Sequence, residues 1–197
     1  MAAASVTLEP SSRQSALPGA LVIVALTLLA YTPAMSAGFI WDDDQYVWAN
    51  PLLQQGWDGL RDIWTPRKTP QYYPAVFTMF WIENQIWGLH PEGYHIMNIV
   101  LHALNAVLVW RLALVLRISW PWLIGAVFAL HPVHVESVAW ITERKNTLSG
   151  LFYLVGAIPN LRFDEDAVGG REEASKGRWW FYAASFACFV LALLSKS

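Results

Sequence analysis

The stretch from Gln14 to Trp41 carries no charged residue, and it is cut off by three carboxylates in a row, Asp42-Asp43-Asp44. An apolar segment of that length is what a bilayer-crossing helix requires. One carboxylate at the bilayer centre costs roughly 2.5–3.5 kcal/mol on insertion scales, so three adjacent ones must stand at or beyond the interface. The acids therefore mark where the first membrane helix ends. Crowded carboxylates are hard to ionise together, which leaves three readings of the cluster: a solvated helix end, a site for a divalent cation such as Mg or Mn, or a poised base.

The rest of the chain is equally poor in charge. With 55 % hydrophobic and 14 % charged residues, and a mean hydropathy of +0.34, it is too apolar for an ordinary soluble domain and reads as an all-α membrane protein. Low-charge segments recur between Glu92 and Arg111, Arg117 and Glu136, Lys145 and Arg162, and Arg178 and Lys196. Five membrane helices are expected, at about 17–40, 94–116, 118–134, 146–161 and 179–195. Residues 1–16 form a tail, 42–93 a long loop, and 162–178 a solvated loop with Asp164-Glu165-Asp166 and Gly169-Gly170. Pro159 is a candidate kink in the fourth helix. Arg13, the apolar core and Ala34-Met35-Ser36-Ala37 have the outline of a cleavable secretory signal. An uncleaved anchor is expected instead, because it keeps Asp42 tethered to the later hydrophobic segments.

Of the twelve tryptophans, many, namely Trp41, Trp64, Trp87, Trp120, Trp140, Trp179 and Trp180, flank the apolar runs, as in an aromatic belt at a bilayer interface. The only cysteine, Cys188, lies in an apolar run, so no disulfide framework or cysteine metal site is available. The net charge of -2 excludes a basic nucleic-acid binder. Basic residues divide almost evenly between the two sides. The short loops weigh most, and they place the N-terminus in the cytoplasm and the Asp42 loop outside.

Within the long loop, Pro74 to Trp87 reads as one short helix, with Pro74 in its first turn, Gly88 as its stop, and an apolar face of Val76, Phe77, Phe80, Trp81 and Trp87. It is too short and polar to span, and is expected at the membrane surface. The second membrane helix carries His95, Asn98, His102 and Asn105 at spacings of three, four and three, on one stripe that must face protein or water. Interhelical hydrogen bonding explains such a stripe, and a polar cavity around His95 is the functional alternative.

After the third helix comes His131-Pro132-Val133-His134-Val135-Glu136, followed by Glu143-Arg144-Lys145, on the same side of the membrane as Asp42. If this segment is helical, Glu136 and Glu143 share a face beside two cations, an arrangement suited to a phosphate-bearing substrate. Surface salt bridges between Glu143 and its basic neighbours are the plainer reading. A zinc site from His131, His134 and an acid is disfavoured by Pro132, which disrupts the helix that would set the histidine spacing.

Phe39-Ile40-Trp41-Asp42-Asp43-Asp44, Tyr72-Tyr73-Pro74, Trp87-Gly88-Leu89, Gly93-Tyr94-His95, Leu101-His102-Ala103-Leu104-Asn105 and the run from His131 to Trp140, in that order, resemble the transmembrane and tetratricopeptide-repeat-containing O-mannosyltransferases and their bacterial relatives. The resemblance spans Phe39 to Ser197. It implies a GT-C glycosyltransferase bundle with an extracytoplasmic active site, in the bacterial inner membrane or the endoplasmic reticulum, a polyprenyl-phosphate sugar donor, typically mannose, and a Ser or Thr hydroxyl of a protein as acceptor.

In such enzymes an acid just after the first membrane helix is the base, a role that falls here to Asp42 or Asp43, with inversion at the anomeric carbon. The expectation drawn from this is that one of Asp42, Asp43 and Asp44 deprotonates the acceptor hydroxyl, Glu136 or Glu143 orients the acceptor or a bound cation, and Arg144 or Lys145 steadies the departing phosphate. Tyr73, His95, His131 and His134 join them as candidates for binding substrate. The family continues into further helices and a repeat solenoid, so this chain is expected to be a fragment. The rivals are a non-catalytic membrane scaffold and a small cation transporter; against the latter, no acid is expected in mid-helix.

Overall fold

The computed structural model describes residues 17–66, 68–168 and 175–196, and for 159–168 and 175–179 the backbone alone. The expected tail 1–16 and the Gly169-Gly170 turn lie outside the described residues. Those residues form an all-α membrane protein. Its helices are α1 (Leu17–Tyr31), α2 (Gly56–Ile63), α3 (Pro74–Trp87), α4 (Pro91–Val115), α5 (Pro121–Leu130), α6 (Val135–Ala139), α7 (Arg144–Val168) and α8 (Ser175–Ser195).

The first segment does not stay α-helical to residue 40. It tightens into a 3₁₀ turn at Thr32–Ser36, which contains Pro33, and then runs extended. Proline has no amide proton to continue the ladder and clashes with the preceding turn. Two stretches are long and apolar enough to cross a membrane, Leu17–Ser36 and Pro91–Val115. The expected third span, 118–134, is instead two pieces, Pro121–Leu130 and Pro132–Ala139, bent by 48°. Pro132 forces His131 out of the helical region, to φ −68° and ψ 128°, as the residue before a proline requires. Counted as one broken span, the pair is a third candidate, while the apolar part of α8, Trp180–Ser195, is shorter. α7 runs unbroken through Pro159 to Val168, and α8 begins at Ser175, so helix occupies both ends of the expected loop 162–178. No glycine or proline interrupts Leu161 to Val168.

α4 is the central post, packed by α1, α5 and α7, and α8 lies along α7. Ile23, Ala106, Trp110 and Ala129 form the core where α1, α4 and α5 meet. The long loop is folded rather than draped: Tyr46, Val47, Leu53, Ile63, Val76, Phe77, Phe80 and Tyr94 make a second core with Leu101 and Ile141. α3 has the predicted bounds, with Pro74 at its start and Gly88 at φ 57° as its stop, and Val76, Phe77 and Phe80 are fully buried. Of the expected tryptophan belt, Trp41, Trp64, Trp120 and Trp180 are exposed, whereas Trp87 and Trp140 pack inward.

Candidate functional site

The three aspartates divide. Trp41 sits in the left-handed region at φ 45°, a strained conformation for a bulky residue, and its ring meets Trp140 edge-on at 5.0 Å. The turn that follows aims Asp43 inward, where it is fully buried. Its Oδ1 accepts from the Thr142 backbone N–H at 3.0 Å and from Thr142 Oγ1 at 2.6 Å. Its Oδ2 accepts from the Ile40 N–H at 2.9 Å. Asp42 is exposed and Asp44 half-buried, with Asp44 Oδ1 accepting from the Gln45 N–H at 2.6 Å. Successive side chains around a helical turn point about 100° apart, so adjacency in sequence does not bring the three carboxylates to one point. Among the described residues no group of three or more His, Cys, Asp or Glu is arranged to hold a metal ion.

Beside Asp42 lies Tyr46, stacked on Phe77 at 5.0 Å and donating to Gln71 Oε1 at 2.7 Å. Burial pushes its hydroxyl pKa up to about 12, with Tyr73 and the negative charges of Asp42 and Glu143 adding to the rise. These groups therefore share one neighbourhood. Tyr73, half-buried at the start of α3, belongs to it. Lys145 Nζ stands 5.9 Å from the Tyr46 ring and pairs with Glu143 at 2.8 Å. Asn146 Nδ2 donates to Glu143 Oε2 at 2.5 Å and to Ser137 Oγ at 2.9 Å, and Lys196 donates to Asn146 Oδ1.

Two expectations about this segment are corrected. Glu136 and Glu143 do not share a helical face, because Trp140 is extended between α6 and a 3₁₀ turn at Ile141–Glu143; Glu136 is exposed on α6. Arg144 does not stand open to a phosphate. It is fully buried, with Nη1 donating to Glu83 Oε1, Nε to Asn98 Oδ1 at 2.7 Å and Nη2 to the Tyr94 carbonyl at 2.7 Å. Its guanidinium also lies 4.7 Å over the Phe80 ring.

Glu83, which the sequence reading passed over, is 2 % exposed in the middle of α3. The expectation that no acid lies in mid-helix fails here, although α3 is not a span. Burial raises its pKa and Arg144 pulls it back. The signal was available: Val76, Phe80, Glu83 and Trp87 fall at the spacing of one stripe.

The α4 stripe is buried throughout: His95, Asn98, His102 and Asn105 are each 3 % exposed or less. Asn98 donates to the Trp140 carbonyl at 3.0 Å and Asn105 to that of Thr147 at 2.8 Å. His102 Nε2 is 3.1 Å from the Ala129 carbonyl. The His95 ring nitrogens are buried, with the backbone of Gly38, Ala139 and Ala37 around them.

His131 caps its own turn, Nδ1 accepting from the Val133 N–H at 3.2 Å, while His134 packs against Phe128 at 4.4 Å and His102 at 5.2 Å. Between α4 and α7 opens a groove of about 400 Å³ with His134, Ser137 and Asn146 among its polar lining and Val109, Phe128 and Leu154 among its apolar walls.

No family model matches the chain, and no solved structure matches it. Among curated proteins it is similar to the protein O-mannosyl-transferase TMTC2 of Mus musculus, 32 % identical over 149 residues, which cover 70 % of this chain and 18 % of the mouse protein. The protein O-mannosyl-transferase Tmtc2 of Drosophila melanogaster is 29 % identical over 184 residues, 87 % of this chain and 19 % of the fly protein. The protein O-mannosyl-transferase F38B6.6 of Caenorhabditis elegans is 26 % identical over 169 residues, 78 % of this chain and 24 % of the worm protein. The chain thus spans roughly a fifth of the length of these relatives, and by this likeness it belongs to the TMTC family of protein O-mannosyl-transferases.

Proposed function

We propose that this chain is part of a multi-pass GT-C glycosyltransferase that moves a sugar, mannose by family likeness, from a polyprenyl-phosphate donor to Ser or Thr hydroxyls of proteins. Its Asp42 loop faces the extracytoplasmic side. The observation that carries the reading is that exposed Asp42 and the Glu143–Lys145 pair converge on Tyr46, with Asp42 on a turn anchored by buried Asp43, in a chain related to proteins named for this activity.

Of the three candidate bases, Asp42 is the exposed one: Asp43 already spends both oxygens on backbone and hydroxyl donors, and Asp44 is half-buried with Oδ1 held by the Gln45 N–H. Asp42 takes the proton of the acceptor hydroxyl, the oxygen attacks the anomeric carbon from the face opposite the phosphate, and the carbon–oxygen bond to the lipid phosphate breaks with inversion. Glu143 orients the acceptor, and Lys145 neutralises charge on the departing phosphate, the task that Arg144 is too buried to perform. A groove with polar groups at its lining and apolar walls suits a phosphate-bearing lipid.

The test is transfer of radiolabelled mannose from polyprenyl-phosphate mannose to protein by membranes containing this chain or its Asp42→Asn variant. A general base contributes about 10²–10⁴-fold, so the variant is expected to lose transfer by that factor. Equal transfer by both would remove Asp42 as base, and no transfer by the parent chain would leave it a non-catalytic membrane domain.

A further inference from the structure

The groups that face the Asp42 site are each next in sequence to a buried anchor. Asp42 is followed by Asp43, Glu143 lies between Thr142 and Arg144, and Lys145 follows Arg144; Asp43, Thr142 and Arg144 are all fully buried. The anchors belong to one polar lattice. Asp43 holds Thr142 by backbone and hydroxyl. Arg144 holds Asn98, and Asn98 in turn holds the Trp140 carbonyl, behind the ring that meets Trp41. The far end of the lattice is Glu83 on the loop helix α3, whose Oε1 accepts from Arg144 and whose Oε2 has no hydrogen-bond partner among the described residues.

A buried ion pair of this kind is weak evidence for stability, since taking two charges out of water costs about as much as their attraction returns. Its geometry is more telling. Three directional bonds from one guanidinium fix α3, α4 and the start of α7 relative to one another, and a planar fork is the group suited to that task.

We propose that the Glu83–Arg144 pair is a positioning device for sugar transfer: it touches no substrate, and it holds the segment from Trp140 to Lys145 in register with the Asp42 turn. The idea rests on the proposed function only in taking Asp42, Glu143 and Lys145 as the groups that meet the substrates. The conservative variant Arg144→Lys keeps a charge for Glu83 but cannot reach Asn98 and the Tyr94 carbonyl together; Glu83→Gln keeps shape and removes the charge.

Both are compared with the parent full chain in membranes by two readouts. The first is kinetic. A misplacement of about 1 Å costs about a hundredfold, so both variants should lower kcat by about that factor while KM for polyprenyl-phosphate mannose moves by no more than about twofold. A rise in KM with kcat intact would make Arg144 a phosphate ligand and overturn the proposal.

The second readout does not need catalysis. With Cys188 replaced by Ala, a Trp41→Cys, Trp140→Cys pair reports the register of the two segments through a short bifunctional thiol reagent. As a control, Gly156→Cys is paired with the native Cys188, whose Cβ lies 3.0 Å from the position of the new Cβ, and reports whether α7 and α8 remain packed. The expected result is slower 41–140 crosslinking in both Arg144→Lys and Glu83→Gln with 156–188 crosslinking unchanged. Unchanged 41–140 crosslinking overturns the proposal, as does loss of both crosslinks, which would make the pair a general support of the bundle. If the parent chain transfers no sugar, the functional reading fails and the crosslinking alone decides the positioning claim.

Discussion

Replacing Asp42 and Asp43, one at a time, by asparagine separates two roles that adjacency in the sequence conflates. Asp43 accepts three hydrogen bonds, two on Oδ1 and one on Oδ2. An asparagine in the same place has one oxygen and one amide, so if the oxygen keeps Thr142, the amide faces the Ile40 N–H, donor against donor. One bond to a charged acceptor is then lost, worth about 1.5–3 kcal/mol, at a part-buried N–H. The expected cost of Asp43→Asn is therefore about 1.5–3 kcal/mol, a sizeable share of the roughly 5–15 kcal/mol that holds a typical domain. Asp42 is exposed, and its substitution should stay within about 0.5 kcal/mol of neutral. Denaturant unfolding in detergent micelles measures both. On the proposed function, sugar transfer should fall by about 10²–10⁴-fold in Asp42→Asn protein that remains fully folded. Asp43→Asn with parental stability would refute the anchoring argument, and a large stability loss from Asp42→Asn would show that the exposed carboxylate is structural.

The packing around α4 predicts opposite outcomes for two glycines. A Cβ on Gly125 would lie 2.7 Å from Trp110 Cβ and 3.1 Å from the Ala106 carbonyl, so Gly125→Ala is expected to destabilise by about 1–3 kcal/mol through overpacking, outweighing a helix-propensity gain of up to about 1 kcal/mol. Gly150→Ala, whose nearest neighbour is Asn105 Nδ2 at 3.4 Å, should be neutral or stabilising by up to about 1 kcal/mol in the same unfolding assay. Gly88, at φ 57° and ψ −127°, occupies a region closed to side chains, and Gly88→Ala should cost about 1–3 kcal/mol by thermal unfolding. Tyr46 has a folded pKa of about 12 against an ordinary 10.0. Its contribution is complete below pH 10 and lost as pH rises through 12, by about 3 kcal/mol at most. Alkaline unfolding followed alongside tyrosinate absorbance should show this loss in the parent chain and not in Tyr46→Phe.

Local signals in the sequence carried the elements whose causes are local. Pro74 and Gly88 bracket α3 because one fits a helix start and the other supplies a left-handed stop. The stripe from His95 to Asn105 is buried because its spacing leaves no other face for it. The break in the third segment was also written in Pro132, yet an apolar count across 118–134 reads straight through it, since hydropathy is blind to the missing amide. Side-chain direction at the site was not legible. Which of three consecutive aspartates turns inward is decided by Thr142, 99 residues away, and no window of sequence contains both.

Arg144 and Lys145 show why adjacent like charges should not be assigned one role. The pocket formed by Glu83, Asn98, Phe80 and the Tyr94 carbonyl accepts a flat, forked cation; an ammonium has no plane to stack on Phe80 and no fixed fork for the remaining acceptors. Once Arg144 is drawn inside, its neighbour on the helix is turned away from that pocket, and Lys145 stays partly exposed with Glu143. Exchanging the two residues, Arg144→Lys with Lys145→Arg, preserves composition and net charge while misplacing both. It should lower sugar transfer about as much as Arg144→Lys alone, because the arginine at 145 cannot turn back into the pocket. Recovery of parental activity by the exchange would mean that this segment needs two cations in either order, and that the division between an inner and an outer charge carries no function.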